Sequence, residues 1–116
     1  MPKRKLNPLP AAAFQILLSL VEEDLHGYGI MRQVAEQTEE RMRLGPGTLY
    51  SSIQTLLEAR LIEEVDARAD AKLGQARRRY YRVTSAGRKL VRSEAERLAD
   101  LLRVARAKKV LRGAHV

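Results

Sequence analysis

The sequence predicts a mainly α domain with one small antiparallel β-hairpin, on three observations. Stretches of helix-period apolar residues follow one another through the first half of the chain. Two short β-prone segments come next, separated by a polar stretch. The remainder carries apolar residues at alternating spacings of four and three, the mark of one long helix with a packing seam. With 116 residues, 45% of them hydrophobic and 31% charged, the chain has the apolar material of one folded domain and little room for a second.

The first helix is expected over residues 10–23. Phe14, Leu17, Leu18 and Val21 form one apolar stripe and Ala13, Ile16 and Leu20 a second, leaving a narrow polar strip at Gln15, Ser19 and Glu22. A helix apolar on two sides has to be covered twice, here by the domain's own core and by a second subunit. The next helix, expected over 26–38, places Ile30, Met31 and Val34 on one face behind a His-Gly-Tyr-Gly opening that reads as a turn. A third is expected over 46–59, because the glycines of Gly45-Pro46-Gly47 permit a sharp turn and Pro46 suits a first helical position, where its missing N–H costs nothing. Leu49, Ile53, Leu56 and Leu57 face its core, so at about 100° per residue Gly47, Thr48, Ser51, Gln54 and Thr55 face outward, with Tyr50 at the border.

That outward face is uncharged until Glu58. An ordinary solvated helix face carries Lys and Glu, whereas small hydroxyls, an amide and a glycine suit close approach; in a DNA major groove they can meet base edges and phosphates. A merely polar surface explains this helix equally well on its own. The β-prone pair, residues 61–65 and 77–84, shifts the balance. In the second segment Arg77, Arg79, Tyr81 and Val83 alternate with Arg78, Tyr80 and Arg82, and a polar tip at 66–76 feeds into the arginine run. The bland reading of such a run is a solvated charge cluster, but a helix-turn-helix followed by a basic hairpin is the winged-helix plan, with Arg77, Arg78 and Arg79 placed to grip backbone phosphate.

Charge distribution agrees. Residues 1–8 carry three bases, Lys3, Arg4 and Lys5, and no acids; residues 9–66 carry four bases and ten acids; residues 67–85 six and one; residues 86–116 nine and three. The net values are +3, −6, +5 and +6 of a total of +8, so the basicity is confined to an arm, the hairpin and the last helix.

The last helix is expected from Thr84 or Ser85, either of which could cap it, to about residue 111. Val91, Ala95, Leu98, Leu102 and Ala105 make a seam of about two heptads, with Leu101 beside it. Packed against the first helix of another copy, where Phe14, Ile16 and Leu20 offer a surplus apolar face, this seam predicts an isologous homodimer. The expected organisation is a flexible basic arm at 1–8, a winged helix-turn-helix DNA-binding domain at 9–85, and a dimerisation helix with its tail at 86–116. A two-fold dimer predicts double-stranded DNA with an inverted-repeat operator as partner. The alternative is a winged-helix protein–protein interaction module without specific DNA binding, which needs neither basic wing nor arm.

Other chemistries find little in the residues. There is no cysteine, so thiolate catalysis, thiolate metal sites and disulfides are excluded. His26 reads as a turn or capping residue rather than a metal ligand. Gly45-Pro46-Gly47 lacks the lysine and one amide that a phosphate loop requires, and Glu22-Glu23-Asp24 most simply ends a helix. An enzyme is not expected, nor any cofactor. No apolar stretch reaches membrane-spanning length and no signal-type run follows the basic start, so the expected address is the cytoplasm.

Four segments, Leu20–Met31 (LVEEDLHGYGIM), Leu44–Tyr50 (LGPGTLY), Leu56–Ile62 (LLEARLI) and Arg78–Gly87 (RRYYRVTSAG), resemble in wording, order and spacing the signatures of the PadR-type regulators, named after the phenolic acid decarboxylase regulator. The resemblance implies a winged helix-turn-helix with a C-terminal dimerisation helix, transcriptional repression, and release from DNA by a small-molecule effector or other signal; one long final helix is similar to the short subfamily. Two departures stand out. Tryptophan is absent, so the indole-lined drug pocket of some members is not carried over. Arg60 stands where the family usually has a helix-ending glycine. A left-handed residue there costs about 1 kcal/mol without glycine, so the helix is expected to end through another geometry.

Overall fold

The computed structural model describes residues 6, 9–65 and 79–111. Their elements run α1 (Ala11–Ser19), β1 (Leu25–His26), α2 (Gly27–Gln37), α3 (Pro46–Glu58), β2 (Ile62–Val65), β3 (Tyr80–Val83) and α4 (Ser85–Ala107). This is the predicted mainly α winged-helix architecture, with the three helices α1 to α3 closed over a small sheet and α4 leaving the domain beyond it.

The core is what the helical stripes dictate. Ile16, Leu17 and Leu20, Ile30 and Val34, and Leu49 and Leu56 are almost wholly withdrawn from solvent, joined by Ile53 on α3 and by Ile62, Tyr81 and Val83 from the sheet. At about 25 cal/mol per Å² of apolar area, each such side chain contributes roughly 1.5–3 kcal/mol of transfer free energy, which makes this cluster the main adhesive of the fold. A side-chain bridge adds to it: Gln37 on α2 donates to Gln15 Oε1 on α1 at 2.8 Å.

The second stripe of α1, Ala13, Ile16 and Leu20, is taken up within the protomer together with Leu17, whereas Phe14 and Val21 are half-buried and Leu18 is exposed. Ile16 and Leu20, expected at a subunit interface, are 0% and 1% exposed, so no second copy can reach them; α1 is covered by α2, α3 and the first half of α4. The helix is also shorter than the expected 10–23. The Ser19 hydroxyl donates back to Ile16 O at 2.6 Å, and the Leu20 and Val21 amides bond to Leu17 O and Leu18 O, tightening the last turn before the acidic segment leaves it.

His26 caps α2 as the sequence suggests, its Nδ1 accepting from the Gly29 amide at 3.0 Å. Pro46 opens α3 at the first turn, with Gly45 as the cap. The end of α3 corrects the expectation at Arg60. Arg60 does adopt the left-handed conformation, φ 61°, and the two bonds of a Schellman motif close the helix: Arg60 N–H to Leu57 O and Leu61 N–H to Leu56 O, both 3.0 Å. The same closure ends α2 at Glu39 (φ 53°) and α4 at Lys109 (φ 64°), so that α4 stops at Ala107, four residues short of the expected end. Two carbonyl bonds per helix end outweigh the steric cost of a side chain at positive φ.

The expected hairpin is a three-stranded antiparallel sheet, ordered β1-β3-β2. Glu63 pairs with Arg82 and Glu64 with Tyr81 across β2–β3, while Leu25 pairs with Tyr81 across β1–β3. The described part of the second β segment is strand only from Tyr80 to Val83. Thr84 then joins sheet to helix. Its hydroxyl donates to Arg60 O at 2.8 Å and accepts from the Gly87 amide at 3.1 Å, while its own amide donates to Leu61 O at 3.0 Å. Gly87 is required here, because a Cβ would sit 2.2 Å from Leu61 O and 2.7 Å from a Val83 methyl. The first turn of α4 is thereby fixed against the end of α3.

Candidate nucleic-acid interface

α3 is held by one face and shows the other. Leu49, Ser52, Ile53 and Leu56 are buried, Leu57 is half-buried, and Gly47, Thr48, Tyr50, Ser51 and Gln54 are exposed, with Thr55 half-exposed beside them. The uncharged face predicted from spacing is therefore the solvent face. Two of its polar groups are occupied locally: the Thr55 hydroxyl donates to Ser51 O at 3.1 Å, and the Gln54 amide donates to Glu58 Oε2 at 3.2 Å. The Gln54 bond is exposed and easily exchanged for another acceptor.

Of the predicted phosphate contacts, Arg79 is described, whereas Lys3, Arg4, Lys5, Arg77 and Arg78 lie outside the described residues. Arg79 stands exposed at the root of the wing, its Nε 3.4 Å from Glu64 Oε2, and its charge also acts on the Tyr81 phenol. Burial, reinforced by the charge of Glu64, pushes the Tyr81 phenol above its ordinary value against the opposing pull of Arg79. Tyr81 is thus a neutral, buried post beside the arginine.

Sequence reasoning missed Tyr28. It is exposed on the first turn of α2, its ring stacked on His26 with centroids 6.5 Å apart, and the Arg32 guanidinium lies 5.9 Å over it. Tyr80 meets His26 edge-on at 5.2 Å. The signal was available: the chain has four tyrosines, and all of them gather where the head of α2, the first turn of α3 and the wing root meet.

The acidic segment after α1 lies elsewhere. Asp24 accepts from Arg82 Nη2 at 3.0 Å and Nε at 3.4 Å, which holds the Arg82 guanidinium above its ordinary value; Arg88 donates to Val21 O at 3.0 Å. These bonds tie the turn to β3 and α4 and leave Arg82 engaged away from the α3 face.

On α4 the seam divides. Val91 is buried in the protomer's own core, whereas Ala95, Leu98, Leu101 and Leu102 are exposed and Ala105 is half-buried. Val104 is exposed with them. Phe14 of α1 is half-buried against the core. Among the described residues there is no helix long and apolar enough to cross a membrane and no cluster of His, Asp and Glu that could hold a metal ion.

Residues 16–93 match the family described as Transcriptional regulator PadR-like family. An uncharacterised 37.1 kDa protein in transposon TN4556 of Streptomyces fradiae is 31% identical over 90 residues, 78% of this chain but only 24% of the relative, so the chain spans about a quarter of that protein's length. The structure of a transcriptional regulator from Clostridium thermocellum is 27% identical, with a TM-score of 0.68 over 83% of this chain and 87% of that one. Bacillus subtilis PadR, solved in complex with operator DNA, shares the fold at 17% identity, with a TM-score of 0.61 over 72% of this chain and 45% of the other.

Proposed function

The chain belongs to the PadR-like family of transcriptional regulators, and from that premise we propose that it binds double-stranded DNA sequence-specifically as a homodimer and represses transcription until a small molecule or other signal releases it. The observation that carries the reading is the exposed face of α3. Gly47, Thr48, Ser51, Gln54 and Thr55 are small or neutral, stand on a helix locked by its buried stripe, and have Arg79 at the adjoining wing root. Such a face admits close approach to base edges while an arginine beside it neutralises phosphate. In this mechanism each subunit lays α3 in a major groove, Thr48, Ser51 and Gln54 meet bases, and the wing arginines Arg77, Arg78 and Arg79 hold the flanking backbone together with the arm at Lys3, Arg4 and Lys5. Dimerisation is supported by the apolar residues that α4 leaves exposed from Leu98 to Val104, and it makes the operator an inverted repeat. Repression and its relief follow the family resemblance.

The test is selection of duplexes from a random library by the purified protein, followed by anisotropy titration of the winner against a scrambled duplex at low and near-physiological salt. A symmetric winner bound at least about a thousandfold more tightly than the scramble is expected of a specific regulator. Absence of binding to any duplex would overturn the reading in favour of a protein-interaction module.

A further inference from the structure

A cleft of about 350 Å³ opens between the head of α2, the first turn of α3 and the wing root, lined among the described residues by His26, Gly27, Tyr28, Tyr50, Arg79 and Tyr81. In a chain with only 4% aromatic residues this is an unusual concentration of rings. Tyr28 and Tyr50 are 61% and 53% exposed, so they line the cleft rather than serving the core. Gly27 makes room for one of them: a Cβ there would fall 2.4 Å from Tyr50 Oη and 3.1 Å from its Cζ. The missing side chain at position 27 lets Tyr50 lie across the start of α2 without shifting.

Resting on the DNA-binding reading, we propose that this cleft seats one sugar–phosphate unit of the duplex backbone beside the groove occupied by α3. The ring faces form an apolar wall suited to deoxyribose, the Tyr28 and Tyr50 hydroxyls donate to the phosphate oxygens, and the Arg79 guanidinium supplies the charge. Arg79 is already steadied by Glu64 at 3.4 Å, and because that pair is exposed its exchange for a phosphate costs little. Arg32, over the Tyr28 ring, adds a second positive charge at the rim. An alternation of apolar and cationic surface across one open-sided cleft matches the alternation of sugar and phosphate along a strand better than it matches a compact free anion. Gly27 acts as a positioning residue for Tyr50.

The experiment uses the duplex recovered by selection, with single phosphates replaced in turn by neutral methylphosphonate, against wild type and the Tyr28→Phe/Tyr50→Phe variant. Phenylalanine keeps both rings, so the fold is not at stake. In wild type the phosphates held by the other wing arginines and the arm should weaken binding when neutralised, and so should one further symmetry-related pair, the one seated in the cleft. The variant should bind the unmodified duplex with a loss of roughly tenfold per hydroxyl removed, and should show a smaller penalty than wild type at the cleft pair, the remainder being the share of Arg79. Arg79→Ala should lower the slope of log affinity against log salt by about 0.9 for each phosphate that the guanidinium no longer neutralises. Equal methylphosphonate penalties in wild type and variant would overturn the cleft while leaving DNA binding intact. A variant that loses affinity for the single strand as much as for the duplex would overturn it in favour of a site for unpaired bases. Failure of wild type to bind any duplex would remove the DNA-binding reading and the cleft with it.

Discussion

The outward face of α3 and the distal face of α4 are both exposed, yet one is polar without charge and the other is apolar between charges. On α3, Thr48, Ser51 and Gln54 follow one another at helical spacing with no Lys or Arg among them. On α4, Leu98, Leu101, Leu102 and Val104 keep 40–51% of their surface in water, flanked by the ion pairs Glu94–Arg97 and Asp100–Arg103. Water tolerates the first face and opposes the second: contiguous exposed apolar side chains on a helix mark a protein contact, whereas small neutral polar groups mark a partner that must come close and still be hydrogen-bonded. Under the proposed function the two faces suit different partners: a nucleic acid offers the leucine face of α4 nothing, and a second copy of that face has no use for hydroxyls.

The largest expected effect comes from breaking the apolar side of that contrast. Leu98→Glu with Leu102→Glu places four carboxylates in a symmetric seam; both residues are exposed in the protomer, so the chain should still fold and show the helix content of wild type by circular dichroism. Sedimentation should report the mass of one chain, and operator affinity should fall by roughly a hundredfold or more, because two half-sites no longer share one tethered pair. A dimer that persists would move the interface off this face. A monomer that keeps full affinity would show that the two faces are independent.

The contrast was only half legible in the sequence. The α3 face could be read because Pro46, the 49/53/56 stripe and the absence of charge are all local, and local signals also offered His26 as a turn or cap and Thr84 or Ser85 as a cap, of which His26 and Thr84 serve. The α1–α4 relation could not. A helical wheel shows that α1 is apolar on two sides but not what covers each, and Ile16 and Leu20 are buried within the protomer, whose α2, α3 and α4 pack on α1, rather than against a second copy. β1 was invisible for the same reason: two residues display no period, and Leu25 and His26 become a strand only by pairing with Tyr81 and Tyr80, far away in sequence. Arg60 was missed differently. The steric cost of a left-handed side chain is a property of one residue, whereas the bonds that offset it involve Leu56, Leu57 and Thr84.

Arg60 yields the second prediction, because it lies at the joint between the two faces and belongs to neither. Replacing it with glycine removes a left-handed strain of roughly 1–2 kcal/mol and returns roughly 0.5–1 kcal/mol in unfolded-chain entropy. Arg60→Gly should therefore stabilise the protein by about 0.5–1 kcal/mol, read as a higher urea midpoint at unchanged m-value. Dimer mass and operator affinity should stay at wild-type values. A shift in either would mean that the angle between winged domain and α4 is set at this residue, and that the two faces communicate through it.

The smallest effect tests where the protomer's own core stops along α4. Glu94 is buried at 9% exposure, accepts from Arg97 at 2.5 and 3.0 Å, and is the last residue of the helix to be covered by the domain before the exposed leucines begin. The Arg97 hydrogen bonds, against the opposing effect of burial, hold its carboxyl below its ordinary value of 4.5. A depressed carboxyl favours the folded state above the unfolded-chain value and loses that contribution as pH falls through the folded one. Glu94→Gln should therefore lower the melting temperature slightly and by a constant amount from neutral pH down to about 4.5, and the gap should close below it. A gap that persists unchanged into acid would mean that Glu94 acts through the packing of its aliphatic stem. The ion pair would then be incidental, and the boundary between the covered and uncovered halves of α4 would be drawn by shape alone.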